Sequence, residues 1–244
     1  MNVVGIVAAL AVEARVLGPT VKKREAPASL VDGSLVAVSG IGCAAATIAA
    51  RTLIRAGATA LASWGMAGGL DPTLRAGTIF LPSEVIGAGG TAFATASDWR
   101  EGLSAAIGTY RPVTYGKLLT SAHPIDAVAA KARAFRETGA LAVDMESLAI
   151  AEIAAAHALP FISVRVIVDT AADVLPGAVT SASRSGHLQL WRLIWALARA
   201  PTDLAGLIRL AQRYQAARRS LRAVARTGSL GAFAFPGVSH AAVP

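Results

Sequence analysis

Cysteine is nearly missing from this 244-residue chain, with Cys43 its single thiol. One thiol excludes an internal disulfide framework and fits a reducing compartment. Charge is also scarce, at 16% against 54% hydrophobic residues, and that balance excludes a disordered chain. The four histidines, His123, His157, His187 and His240, lie scattered, without metal-ligand spacing or partner cysteines, so no metal site is expected. No internal repeat or low-complexity tract stands out. The start, Met1-Asn2-Val3-Val4-Gly5, has no basic flank, and Glu13 and Arg15 interrupt its apolar stretch. It does not read as a signal peptide, and the chain is expected in the cytoplasm.

What is present suits one compact α/β domain, since this length buries a sizeable core. Strands are predicted near Val3–Val7, Leu35–Val38, Ala60–Trp64, Ile79–Leu81, Thr114–Leu119, Leu141–Val143 and Phe161–Val168. Ala-rich helical patterns over Ala44–Arg55, Ile125–Arg136 and Glu146–His157 alternate with them, bounded by Gly or Pro. Such alternation places helices on both faces of a parallel or mixed sheet. The segment from Gly87 to Gly102, with Gly89-Gly90 and small polar residues, reads as a long loop bordering a site or an oligomer contact.

Two acidic segments carry the chemistry: Ala142-Val143-Asp144-Met145-Glu146-Ser147, and Val164-Arg165-Val166-Ile167-Val168-Asp169. Glu146 closes a short apolar strand and opens a helix, and Asp169 ends a β-branched strand. Both therefore sit at strand ends, where open α/β sheets bind ligands. Cleaving an N-glycosidic bond builds positive charge on the sugar and negative charge on the departing base. One acid that stays ionised and one that donates a proton would serve it. A carboxylate matches a ribose cis-diol, which suits Glu146, and a proton donor to a purine suits Asp169. To carry that proton near neutrality, Asp169 must rise from about 3.9 by roughly two to three units. Desolvation by the run Val164–Val168 could raise it. Taken singly, Glu146 is equally explained as an acid at a helix N-terminus and Asp169 as a turn former.

Further blocks go with this pair. The opening Gly5-Ile6-Val7-Ala8-Ala9-Leu10-Ala11-Val12-Glu13, then Ser39-Gly40-Ile41-Gly42, then Gly65-Met66-Ala67-Gly68-Gly69-Leu70, precede Val143-Asp144-Met145-Glu146 and Val168-Asp169. In that order they resemble the purine nucleoside phosphorylase and methylthioadenosine/S-adenosylhomocysteine nucleosidase superfamily over roughly residues 3–173. The resemblance implies a three-layer fold with a central mixed sheet and a C-terminal helical extension. It also implies that Glu146 binds the ribose hydroxyls, Met145 packs on the sugar, Asp169 serves the purine and Glu13 activates or orients the nucleophile. The loop Gly65-Met66-Ala67-Gly68 would underlie the ribose and the nucleophile, with Gly40 and Gly42 in a second glycine turn.

The chain departs from the pattern in three places. Met66 stands where relatives carry a serine. Ser121 and Ile125, in Thr120-Ser121-Ala122-His123-Pro124-Ile125, fall where relatives offer an aromatic, so apolar contact would replace stacking on the base. His123 reads either as a structural hydrogen-bonder or as a pocket residue. The second acid of Asp169-Thr170-Ala171-Ala172-Asp173 comes one residue late, and no role is transferred to Asp173.

Neither glycine turn matches a dinucleotide or phosphate-loop fingerprint: the first lacks a third glycine and neither ends in Gly-Lys-Ser/Thr. They remain tight turns or seats for a small anion or water. Cys43, directly after the first, is expected to be there for its small size rather than for reactivity.

Charge is uneven along the chain. Residues 1–183 hold 14 Lys+Arg and 14 Asp+Glu, whereas residues 184–244 hold nine Arg and a single acid, Asp203. The expected division is a catalytic core over 1–183, a basic apolar helical extension over 184–226 and a tail over 227–244. Leu188-Gln189-Leu190-Trp191-Arg192-Leu193-Ile194-Trp195-Ala196-Leu197 reads as one helix, too interrupted by Arg192 and Arg199 to span a bilayer. A second is predicted to start near Thr202-Asp203, with Leu204, Leu207, Ile208, Ala211 and Tyr214 on one face and Arg209, Arg213, Arg218, Arg219 and Arg222 on the others. Residues 188–222 could lie on an anionic membrane, or pack on the core or a second subunit with the arginines solvated. Nucleic acid is the weaker alternative, because few aromatics are available for stacking.

The extension around Arg199-Ala200-Pro201 and Ala205-Gly206-Leu207-Ile208-Arg209-Leu210-Ala211 resembles the hopanoid-associated phosphorylase branch. That likeness implies release of adenine from an adenosyl-hopane type lipid, at the inner face of the membrane, with phosphate as co-substrate and no cofactor. A soluble methylthioadenosine/S-adenosylhomocysteine hydrolase, and a peripheral binding protein on a catalytically lapsed scaffold, are the alternatives. A homo-oligomer is expected.

Overall fold

The computed structural model of the protein describes residues 2–18, 26–108, 112–173 and 204–227. Among them, eleven strands join in one mixed sheet: β1 (Val4–Ala8), β2 (Ala28–Ser29), β3 (Leu35–Val38), β4 (Ala60–Gly69), β5 (Ile79–Phe80), β6 (Glu84–Gly87), β7 (Ala92–Ala94), β8 (Val113–Thr114), β9 (Lys117–Thr120), β10 (Ala140–Asp144) and β11 (Phe161–Asp169). The helices are α1 (Ala11–Ala14), α2 (Cys43–Arg55), α3 (Ser97–Gly108), α4 (Val128–Thr138), α5 (Ser147–Ala156) and α6 (Leu204–Arg226). This is the α/β architecture, with a central mixed sheet and a C-terminal helix, that the sequence pattern predicts.

The strands run β2-β3-β1-β4-β10-β9-β6-β7, with β11 on β4 and β5 joining β11 to β8. β4 is the hub. Its first half lies between β1 and β11, both parallel to it, while Gly68 and Gly69 pair antiparallel with Val143 and Ala142 of β10. Gly68 is thus flanked by Val143 on one side and Asp169 on the other. Adjacent strands lie about 4.8 Å apart, so Val143 of β10 and Asp169 of β11 stand about 10 Å apart across Gly68.

Side-chain alternation divides the core into two layers. Val4, Ile6 and Ala8 of β1 join a cluster with Trp64, Trp99, Leu103, Val164, Val166 and Leu221. Val7 points the other way, to Leu53, Leu61, Ile150 and Ile167. Trp64 and Trp99 are completely buried. Two tryptophans of that size anchor the first layer; each represents about 3–5 kcal/mol against truncation to alanine.

The structure corrects three expectations. Residues Gly65–Gly69 are not a loop but the second half of β4, continuous with Ala60–Trp64. Pairing with β11 along Gly65–Gly68 and with β10 at Gly68 and Gly69 holds them in the sheet, and glycine serves there because neighbouring side chains press on the backbone: a Cβ on Gly65 would stand 2.7 Å from Glu13 Oε1. The segment Gly87–Gly102 is not a long loop either. β6 and β7 form an antiparallel hairpin around Gly89-Gly90, and α3 follows from Ser97, burying Trp99, Leu103 and Ile107 at helical spacing. The strand read over Thr114–Leu119 is two strands, broken at Gly116, where φ is +146° and Leu141 Cδ1 would lie 2.6 Å from a Cβ.

The helix predicted from Thr202-Asp203 is α6. Its buried face is Ala217, Ser220, Leu221 and Val224, packed over β11, with Ala211 exposed and Tyr214 half-buried. Over residues 211–227 the buried stripe belongs to the core, while Arg219, Arg222 and Arg226 are exposed; the side chains of Leu204, Leu207, Ile208 and Arg209 lie outside the described ones. No helix among the described residues is long and apolar enough to cross a membrane. The helix read over 188–197 lies outside the described residues.

Candidate active site

Three buried acids converge around the far end of β4. Glu13 sits in the single turn of α1 and is 4% exposed. Its Oε2 accepts from Leu10 N at 3.0 Å, closing the turn on itself, and its Oε1 accepts from Met66 N at 2.9 Å. Trp64 Nε1 donates to the Glu13 carbonyl at 3.1 Å. These bonds fix the carboxyl over Gly65, where a side chain would collide with both Glu13 Oε1 and Arg165 Nη1. Burial pushes the Glu13 carboxyl above its usual range, against the pull of Arg165 and the two backbone N–H groups.

Glu146 is the N-cap of α5, directly after β10, and is 7% exposed. Its Oε1 accepts from Gly42 N at 2.8 Å. Gly42 is itself the N-cap of α2 and adopts φ +98°, so the Gly40-Ile41-Gly42 turn aims an amide and a helix N-terminus at this carboxylate. The amide of Gly42 is therefore satisfied by a protein acid. Glu146 is pushed up to about 7, first by burial and then by Asp144, while Arg165 and the Gly42 amide oppose the rise. Burial thus works against the ionised form expected at this position.

Between these two acids lies a buried polar network that sequence reasoning did not find. Arg165 of β11, 2% exposed, donates from Nε and Nη2 to Asp144 Oδ2 at 2.9 and 2.7 Å. Nη2 also reaches Ser63 Oγ at 2.5 Å and Ser147 Oγ at 2.9 Å, and Thr120 Oγ1 donates to Asp144 Oδ1 at 2.7 Å. Asp144 further caps the start of α5 through Ser147 N at 3.2 Å. One guanidinium thus neutralises Asp144 while its Nη1 extends over Gly65 towards Glu13. The available signal was a charged residue in the middle of a β-branched strand.

Asp169 ends β11 beside Gly68, with its carboxyl oxygens 3.2 and 3.3 Å from where a Gly68 Cβ would stand. It is 5% exposed, and burial raises its pKa, the direction proton donation requires. Opposing that rise is Lys131 of α4, completely buried and ion-paired with Asp169 Oδ2. The sequence offered no hint of this lysine, which lies in an Ala-rich helix with two arginines nearby.

A model of the phosphorylase superfamily matches residues 29–209, most of the chain. The chain belongs to the phosphorylase superfamily. Solved structures of similar fold include a 5′-methylthioadenosine/S-adenosylhomocysteine nucleosidase from Helicobacter pylori, 16% identical, with 94% of this chain and 97% of that chain covered at a TM-score of 0.68. The Neisseria meningitidis nucleosidase bound to methylthio-immucillin-A is 21% identical, with 93% and 99% covered at 0.67. The futalosine hydrolase of Helicobacter pylori is 14% identical, with 95% and 97% covered at 0.67. No curated protein matches the chain.

The other residues singled out in this superfamily member fall near the same strand ends. Met66 is half-buried on β4 with its amide on Glu13, and Ala67 is buried in the second core layer. Met145, half-buried, accepts from Cys43 Sγ through its carbonyl at 3.3 Å. Burial pushes the Cys43 thiol up, which suits a small structural residue. Ile125 packs against the cluster of Leu70, Leu119, Ala140 and Val143, the last of which pairs with Gly68. Ser121 directs its hydroxyl to the His123 carbonyl at 2.7 Å, and His123 is exposed. Among the described residues no group of three metal-ligating side chains comes together.

Proposed function

We propose that the protein cleaves the N-glycosidic bond of a 5′-substituted adenosine and releases adenine. One observation carries this reading: β4 lies between β10 and β11 at Gly68, so the strand ends that lead to Glu146 and carry Asp169 flank the same glycine-rich half of β4 on which Glu13 is held through Met66 N. Asp169 protonates the purine as the C–N bond breaks, and the bonding electron pair leaves with the base. Glu146 accepts from the ribose hydroxyls and Met145 covers the sugar. Glu13, with both oxygens steadied by backbone amides and a raised pKa, is placed to take a proton from the nucleophile. The likeness in fold to nucleosidases that act on methylthioadenosine and S-adenosylhomocysteine, and membership of the phosphorylase superfamily, support this chemistry.

The finer proposal is phosphorolysis of an adenosyl-hopane type lipid, resting on the basic C-terminal extension, with a homo-oligomer acting at the inner membrane face. Hydrolysis of a small thioether nucleoside is the second reading, and two features favour it. Arg165 faces Asp144 and Glu13, which leaves it poorly placed to hold phosphate, and Glu13 is suited to activating water. Methylthioadenosine and an adenosyl lipid should each be incubated with the enzyme, with and without phosphate, and adenine and ribose 1-phosphate measured. Phosphate-dependent ribose 1-phosphate from the lipid supports the finer proposal; phosphate-independent adenine from methylthioadenosine supports hydrolysis. Absence of adenine from every purine nucleoside tried would refute both.

A further inference from the structure

α4 has eleven residues, and Lys131 is the only one of them that is buried. Ala134 and Phe135 pack at the edge of the Leu70, Leu119, Ala140 and Val143 cluster, and Lys131 is the one side chain the helix buries fully. The ammonium has three protons and meets three acceptors: Asp169 Oδ2, the Thr170 carbonyl at 2.8 Å and the Asp173 carbonyl at 3.1 Å. Each proton thus has an acceptor, which offsets the cost of burying the group at zero exposure. The turn it grips is closed a second time by Asp173 Oδ2, which accepts from Thr170 N at 2.8 Å and Thr170 Oγ1 at 2.9 Å. It is tied to α6 by the ion pair of Asp173 with Arg213. The charged groups facing Asp169 are thus Lys131 from α4 and Asp173 from its own turn, with Arg213 of α6 acting through Asp173.

We infer that Lys131 is a positioning residue for the proton donor: it holds Asp169 Oδ2, leaves Oδ1 for the purine, and neutralises the carboxylate that remains after the proton leaves. This rests on the proton-donor role proposed above for Asp169. In the step, the O–H bond of Asp169 and the C–N bond break, an N–H bond forms on the base, the nucleophile's oxygen bonds to the anomeric carbon, and Lys131 takes no part in the proton transfer. The lysine acts in two directions. It makes the acid harder to protonate in the free enzyme, and it stabilises the conjugate base as the transition state forms.

The test is the pH profile of adenine release by Lys131→Met and Lys131→Arg, with folding followed by circular dichroism. Loss of an adjacent opposite charge raises a carboxyl by about one to three units. Lys131→Met should therefore carry the alkaline limb of kcat/KM about one to three pH units higher, while kcat falls on the order of a hundredfold through lost orientation. Lys131→Arg keeps the charge but not the reach; its limb should stay in place with KM little changed and kcat still lowered at least tenfold. A Lys131→Met limb coincident with the wild type, or a wild-type kcat in Lys131→Arg, overturns the inference. If Lys131→Met does not fold, the Lys131→Arg result decides alone. Asp169→Asn, run alongside, separates the two proposals: a wild-type rate there would sink the donor role itself, whatever the lysine variants show.

Discussion

Replacing Glu146 by Gln should flatten the pH dependence of stability. In the folded protein this carboxyl is pushed from 4.5 to about 7, chiefly by burial, with Asp144 adding to the rise. Because the folded pKa lies above the unfolded one, the native state holds a proton that the unfolded chain releases between those values. Its stabilising contribution is complete below pH 4.5 and is lost as pH rises through 7. A displacement of about 2.5 units at about 1.4 kcal/mol each sets that loss at about 3 kcal/mol. Glutamine keeps an acceptor for the Gly42 amide and cannot ionise, so the term disappears. Glu13 and Asp169 are raised in the same direction, so both proteins should still weaken towards alkaline pH, and the difference between them isolates residue 146. Urea unfolding of both from pH 4 to pH 8 measures it. The stability gap should move in favour of Glu146→Gln by about 3 kcal/mol across that range. Parallel curves would show that Glu146 titrates in the folded protein at its ordinary value and that burial does not govern it.

Removing the buried cation by Arg165→Met strands Asp144 without its ion-pair partner and should cost about 3–5 kcal/mol in urea unfolding at pH 7; a change below about 1 kcal/mol would mean that water reaches the pair. Gly65→Ala places a Cβ 2.7 Å from Glu13 Oε1 and 2.8 Å from Arg165 Nη1, at a backbone φ of +157°. The variant should fold with a loss of about 1–3 kcal/mol, and kcat should fall on the order of a hundredfold because Glu13 is displaced; unchanged kcat would separate Glu13 from the chemistry.

The elements that could be read from the sequence are those whose pattern is local. β3 and β11 alternate or are uniformly β-branched, and α2 and α5 begin at a glycine turn and an acidic N-cap. Their ends fall within a residue or two of expectation. Glu146 and Asp169 could be placed at strand ends because each sits where one local pattern stops and another starts, whereas Glu13 was named only through the resemblance of its segment to the superfamily. Long-range partnership is what stayed hidden. Asp144 needs Arg165, 21 positions away, and Asp169 needs Lys131, 38 positions away. Nothing in either local pattern announces the pairing. Gly65–Gly69 looked like a turn because glycine usually marks one. The sheet instead uses it as a strand without side chains, so that acids can approach the backbone. On α6 the arginines drew attention to a surface role, whereas Ala217, Ser220 and Leu221 at helical spacing decide how its C-terminal half packs.

Adenine release from methylthioadenosine and from an adenosyl lipid, measured for the wild type and Asp169→Asn at pH 7, bears most directly on the proposed chemistry. With proton donation worth about a hundred- to ten-thousandfold, the wild type should release adenine from one of the two and the variant should be slower by at least a hundredfold with its fold intact. Equal rates in the two proteins would contradict the assignment of Asp169 as the group that delivers the proton to the leaving base.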